Sequence, residues 1–109
     1  MEKRLLPNIR YLRYVVSIDS KAHLRGILAV SSPEEIRTIL ELVANILEGK
    51  FAARIKDLQN LQKYKGKLRN LWDIKTDVDT KKAELCKSVR AIQLVLIASE
   101  SFIQGLTHF

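Results

Sequence analysis

The sequence predicts an all-α fold: a single compact bundle of about five helices with a long C-terminal helix. Three observations lead there. Apolar residues recur at helical spacing from Ile9 to Leu106, and no stretch alternates apolar and polar residues long enough to demand a strand. Only 4 Gly and 2 Pro interrupt the 109 residues, which leaves little material for long loops. The chain is 47% apolar and 28% charged, too hydrophobic for a disordered tail and sufficient for one small core. Residues 1–109 therefore read as one helical domain.

After Pro7, the residues Ile9, Leu12 and Val16 share one face and predict a short first helix ending near Ile18. Asp19 or Ser20 then caps a second helix that carries Leu24, Ile27 and Leu28. The third helix has the clearest start. In Ser32-Pro33-Glu34-Glu35 the serine hydroxyl accepts from the Glu35 amide while the Glu35 carboxylate reaches back to the serine amide. Pro33 falls at the first helical position, where its missing donor costs nothing. The stripe Ile36, Ile39, Leu40, Val43, Ile46 and Leu47 follows, and Gly49 supplies a left-handed C-terminal residue.

A fourth helix is expected from Phe51 or Ala52 to about Trp72, with the stripe Ile55, Leu58, Leu61, Tyr64, Leu68 and Leu71. At 100° per residue, Lys56, Lys63 and Lys67 gather within about 40° on the opposite side, and Gly66 also lies outward. Residues 73–80 form a polar break in which Thr76 and Asp79 make a second capping pair. A continuous last helix is expected over residues 77–105. Its second half, 91–106, is apolar around most of its circumference, with Gln93, Glu100 and Gln104 on one narrow polar strip.

The formal net charge is +7, and its location carries the information. Residues 1–49 hold seven Lys or Arg and six Asp or Glu, whereas residues 50–90 hold twelve and five. Residues 91–109 hold only Glu100. The excess sits in one 41-residue segment, an asymmetry that marks polyanion-binding surfaces. The candidate phosphate contacts are Lys56, Lys63, Lys67, Arg69, Lys75, Lys81 and Lys82. Phosphate contacts need closely placed cations and no particular base sequence, which makes nonspecific DNA the expected partner. The competing reading is an ordinary solvated face, whose lysine stems cover apolar surface. Tyr64 and Trp72 could stack on bases, but both lie near the apolar stripe, so core packing is expected of them.

Little supports catalysis, and no enzyme activity, cofactor or small-molecule substrate is expected. His23 and His108 are far apart, and Cys86, although beside Lys87, has no recognisable base partner. Asp73, Asp77 and Asp79 lack the glycine and terminal glutamate of a calcium loop, so helix capping explains them and no metal is expected. The four glycines are scattered, and none belongs to a phosphate-binding loop. A lone cysteine suits an intracellular, reducing compartment. The start, MEKRLLPNIR, has cations but no apolar stretch behind them, and residues 94–98 are far too few to span a bilayer, so neither a secretory leader nor a membrane is expected.

Several segments together resemble a family. "EEIRTILELVANILEGK", then "LQKYKGKLRNLWDIK", then "KKAEL" ahead of an apolar tail, is similar to the small basic core-type proteins of Polinton-like elements and adintoviruses. The family's Asn-x-Leu-x-Gly-like turn is matched by Asn45, Leu47 and Gly49. Its Lys-Tyr-Lys-x-x-Leu-Arg-x-Leu-like stretch is matched by Lys63, Tyr64, Lys65, Leu68, Arg69 and Leu71. Its lysine pair before a hydrophobic C-terminus is matched by Lys81, Lys82 and residues 91–106. The likeness covers about residues 24–106, in a layout similar to that of the adenovirus core protein X. It implies genome association, and a virion or host nucleus as location. Where the family often opens its tail with a glycine pair, this chain has Ser88-Val89-Arg90.

The sequence also fits a second function: a helical protein–protein interaction module with no nucleic-acid role. If the last helix is continuous, Leu94, Val95, Phe102, Ile103 and Leu106 cannot all point into one small core. Some of them are then expected at an interface, with a homo-oligomer or a helical partner.

Overall fold

The first three helices form where their end signals stand. The computed structural model describes residues 5–50, 53–73 and 77–106, and every regular element among them is helical. Helix α1 (Ile9–Val16) buries Leu12 and Val15 and stops at Ser17, whose hydroxyl donates to the Tyr14 carbonyl at 2.6 Å. Ser20 caps α2 (Lys21–Val30), its Oγ accepting from the His23 amide at 3.2 Å.

Both bonds of the capping box open α3 (Pro33–Leu47): the Glu35 amide donates to Ser32 Oγ at 3.1 Å, and the Ser32 amide donates to Glu35 Oε1 at 2.8 Å. At its far end Gly49 takes φ 65°. The Gly49 amide donates to the Ile46 carbonyl at 3.2 Å and the Lys50 amide to the Asn45 carbonyl at 3.0 Å. These two bonds make a Schellman closure, which only a residue tolerant of left-handed backbone supports without strain.

The fourth expected helix is divided. Its parts are α4 (Ile55–Leu61), a 3-10 turn (Gln62–Tyr64) and α5 (Lys65–Asp73). Its inner stripe is also corrected: Asp57, Leu61, Leu68 and Leu71 are buried and Tyr64 is half-buried, while Ile55 is 74% exposed and Leu58 is exposed. Asp57 takes the inward position of the first turn where α4 packs on the C-terminal helix, and Arg54 Nε donates to its Oδ2 at 3.0 Å. Ile55 is left on the outer side of the helix.

The long last helix is divided too, into α6 (Val78–Lys87) and α7 (Val89–Gly105), with Ser88 between them at φ −108°, ψ 29°. Length explains the break. An unbroken helix over residues 77–105 would extend about 43 Å, whereas the longest dimension of the molecule is 33 Å. Thr76, expected in the second cap, lies outside the described residues. The cap observed is Asp77, whose Oδ1 accepts from the Thr80 amide at 2.7 Å.

Breaking at Ser88 lets α7 run through the middle of the bundle. It packs against α1, α2, α3, α4 and α6. Its buried residues join those of the other helices in one continuous cluster that includes Leu12, Leu24, Leu42, Leu61, Leu68, Leu85 and Ile92. The Cα radius of gyration, 12.7 Å, is close to the ~13 Å that a compact chain of this length takes.

Polar ties join distant segments. Gln93, expected on an outer strip, is buried. It donates through Nε2 to the Asp19 carbonyl at 2.8 Å and accepts from Arg90 at 2.9 Å. Arg25 Nε donates to the Cys86 carbonyl at 3.2 Å, joining α2 to α6. Ser31 Oγ gives its only proton to the Ile27 carbonyl at 2.7 Å, so the 2.8 Å contact with Tyr11 must have the tyrosine hydroxyl donating. No helix among the described residues is long and apolar enough to cross a membrane.

Candidate nucleic-acid interface

The inward stripe of α4 and α5 leaves the other sides of residues 58–72 facing solvent, and their chemistry is one-sided. Residues 58–72 contain Lys63, Lys65, Lys67 and Arg69 and no acidic residue. All four cations are exposed, as are Lys56, Gln59, Asn60, Gln62 and Asn70. A helix face that serves only solubility usually mixes both signs. This one offers ammonium, guanidinium and carboxamide groups.

Ion pairing divides the basic segment further. Lys50 is paired with Glu48 at 3.0 Å, Arg54 with Asp57 at 3.0 Å and Lys87 with Glu84 at 3.6 Å. Among the described side chains, Lys56, Lys63, Lys65, Lys67 and Arg69 are left without an ion-pair partner. Lys63 Nζ sits 5.2 Å from the centroid of the Tyr64 ring, which keeps its stem against an aromatic face and its charge at the surface.

The 3-10 turn alters the predicted grouping. Wound at three residues per turn, it rotates Lys63 and Lys67 by roughly 40–60° relative to Lys56 compared with an unbroken α-helix. Lys63 thus stays within about 20° of Lys56, while Lys67 turns to about 80° from it. Lys81 and Lys82 lie on α6, which packs beside α5, and both are half-buried. Lys75 lies outside the described residues. Arg69 is exposed on α5.

Lys65 was absent from the predicted set because it falls off the Lys56–Lys63–Lys67 face, although it is as exposed as they are. The missed signal was the acid-free run itself, which singles out every cation within it. Trp72 also departs from expectation: it is 44% exposed and not packed into the core. Tyr64 is packed against the core as predicted.

The residues expected at an interface lie elsewhere. Leu94, Val95, Ile103 and Leu106 are buried in this chain's own core, and Phe102 is half-buried against it. One core does accommodate them, because the break at Ser88 places α7 at the centre of the bundle, with helices on several sides. Of the apolar surface on this helix, Ile97 remains exposed and Phe102 half-exposed.

Among the described residues, two protonation equilibria are shifted. Burial raises the Tyr11 hydroxyl above its ordinary value, and the Glu35 charge reinforces the shift. The Thr80 amide holds the Asp77 carboxyl below its ordinary value. Both belong to structure and lie outside the basic face. Among the described residues, no group of three or more His, Cys, Asp or Glu side chains is placed to hold a metal ion. The chain matches no family model, no curated protein and no solved structure.

Proposed function

We propose that the protein associates with DNA through the phosphate backbone, without reading sequence, as a small virion-core-like basic protein. One observation carries the reading: a 15-residue stretch, 58–72, presents four exposed cations and no acid. Sequence-independent affinity for DNA comes from neutralising phosphates and releasing their counterions, and it requires unpaired cations at close spacing. The resemblance to core-type proteins of Polinton-like elements and adintoviruses supports the same reading. Compared with a merely solvated face, the basic face lacks the interspersed Glu that would support it through i,i+4 pairs.

A duplex DNA titration at several salt concentrations tests the proposal. The observed affinity should fall with salt by about 0.9 log units per log unit for each phosphate neutralised. Replacing Lys63 and Lys67 with Gln should weaken binding to all sequences alike and flatten the slope by up to about 2. Stability should stay within ~0.5 kcal/mol, since both side chains are exposed. Lys21 and Arg37, also exposed but outside the basic segment, provide the control pair. Equal losses from both pairs would mean diffuse net charge. No DNA binding at low salt would reduce the face to an ordinary solvated one.

A further inference from the structure

Trp72 is the only tryptophan of the chain, and it stands at one end of a short polar stripe. Lys65, Arg69 and Trp72 follow each other at intervals of four and three residues within α5 (Lys65–Asp73), an uninterrupted α-helix. Such intervals place three side chains within an arc of about 60°. The rise between them is about 6 Å and then about 4.5 Å. All three are exposed, with the indole at 44%. The exposed carboxamides of Gln62 and Asn70 lie close in sequence on the same helical run. An indole left in water beside two unpaired cations is a stacking surface with phosphate contacts already at hand.

We infer that this stripe binds single-stranded DNA, with Trp72 stacking on a base while Arg69 and Lys65 hold adjacent phosphates; this deepens, and rests on, the DNA reading above. Duplex bases are already stacked on both faces. A Trp on the convex side of a helix gains no π-face there unless a pair is first opened. A single strand offers its base faces without that cost, and every base has one, so the contact requires no particular sequence. The single strand is therefore the form of DNA that this stripe should prefer.

The test uses the full chain and three probes: a thymidine oligonucleotide, a duplex of equal charge, and inorganic polyphosphate, which has charge but no bases. The oligonucleotide should bind more tightly than the duplex and quench Trp72 emission, whereas polyphosphate should bind without quenching. Trp72→Ala should lower oligonucleotide affinity roughly tenfold, read by anisotropy of a labelled strand. The salt slope and the polyphosphate affinity should be unchanged, and Trp72→Phe should keep most of the affinity. Circular dichroism checks the fold; should the alanine variant lose helicity, the phenylalanine variant and the quenching decide. Trp72→Ala binding the oligonucleotide as well as wild type, or equal quenching by polyphosphate, would overturn the stacking. If the Lys63 and Lys67 slope effect survived either outcome, the phosphate reading would stand without it. Emission that changes with protein concentration alone would show a second copy covering Trp72, and would also overturn it. No binding to any of the three probes would remove both readings together.

Discussion

Replacing Ser32 with alanine removes one acceptor from the start of α3, and the surroundings set the cost. The Glu35 amide loses its 3.1 Å bond to Ser32 Oγ. Ser32 is exposed, so water can reach the orphaned amide. That argues against the upper end of the ~0.5–2 kcal/mol range for lost caps and for a value of ~1 kcal/mol. For a chain of this size the change corresponds to about 4 °C in Tm. Glu35→Ala removes the reciprocal bond, 2.8 Å from the Ser32 amide, together with a first-turn anion that favours the helix dipole. Its cost should be about 0.5–1 kcal/mol. The two bonds use different donors and acceptors, so each survives loss of the other. The double variant should then lose nearly the sum, with a coupling within ~0.5 kcal/mol. The assay is urea unfolding followed by far-UV circular dichroism. A Ser32→Ala midpoint equal to wild type, with Glu35 in place, would refute the claim that the hydroxyl caps this helix.

Three more outcomes follow from contacts described above. Tyr11→Phe removes the hydroxyl that donates to Ser31 and should cost ~1 kcal/mol at neutral pH. Because Tyr11 is raised above its ordinary 10.0, its contribution is fully present below that value and is lost as pH rises through the higher folded value. Thermal melts in alkaline buffers should therefore converge for the two proteins. Asp77 shifts the other way: its cap holds above the ordinary 3.8 and is lost as pH falls through the lower folded value. Asp77→Asn keeps an acceptor without a charge and should flatten that acid limb, again read by melting. Gly66→Ala should stabilise α5 by about 0.5–1 kcal/mol, because a Cβ there meets nothing within 4 Å. A lowered urea midpoint would contradict the open environment of that position.

Elements with local signals were legible and those settled by packing were not. The Ser32 box and the Gly49 closure depend on residues within a few positions of each other, so spacing alone revealed them. The 3-10 turn at residues 62–64 and the break at Ser88 have no proline to announce them. An unbroken last helix of about 43 Å would overrun a molecule 33 Å long, whereas an unbroken helix over residues 52–72 would fit, and nothing in the sequence marks its 3-10 turn. The rotation of α4 that exposes Ile55 was equally hidden. A sequence pattern favours isoleucine over aspartate in a core, and only the docking of α4 on α7 reverses that order, with Arg54 three residues away partnering the Asp57 carboxylate. At the basic face, composition and charge position were readable in advance, but pairing was not. Which lysines lack a partner depends on where Glu48, Asp57 and Glu84 end up. The exposure of Trp72 likewise emerged only from the packing of α5.

The central position of α7 also has a kinetic side. The bond from Gln93 to the Asp19 carbonyl spans 74 residues, and α1 packs on α7 across a similar separation. Closing a loop of that length costs about 1.8 kcal/mol more in chain entropy than closing one of ten residues. Helical bundles usually fold fast because their contacts are local, and rates fall as contacts become more distant in sequence. Here the N-terminal helix finds its main support in the helix most distant along the chain, so α1 has little to dock against until α7 is in place. Refolding should therefore be slower than in an up-and-down bundle of equal size. Substitutions at Ile92 or Val95 should slow refolding itself, whereas those at Leu12 should mainly speed unfolding.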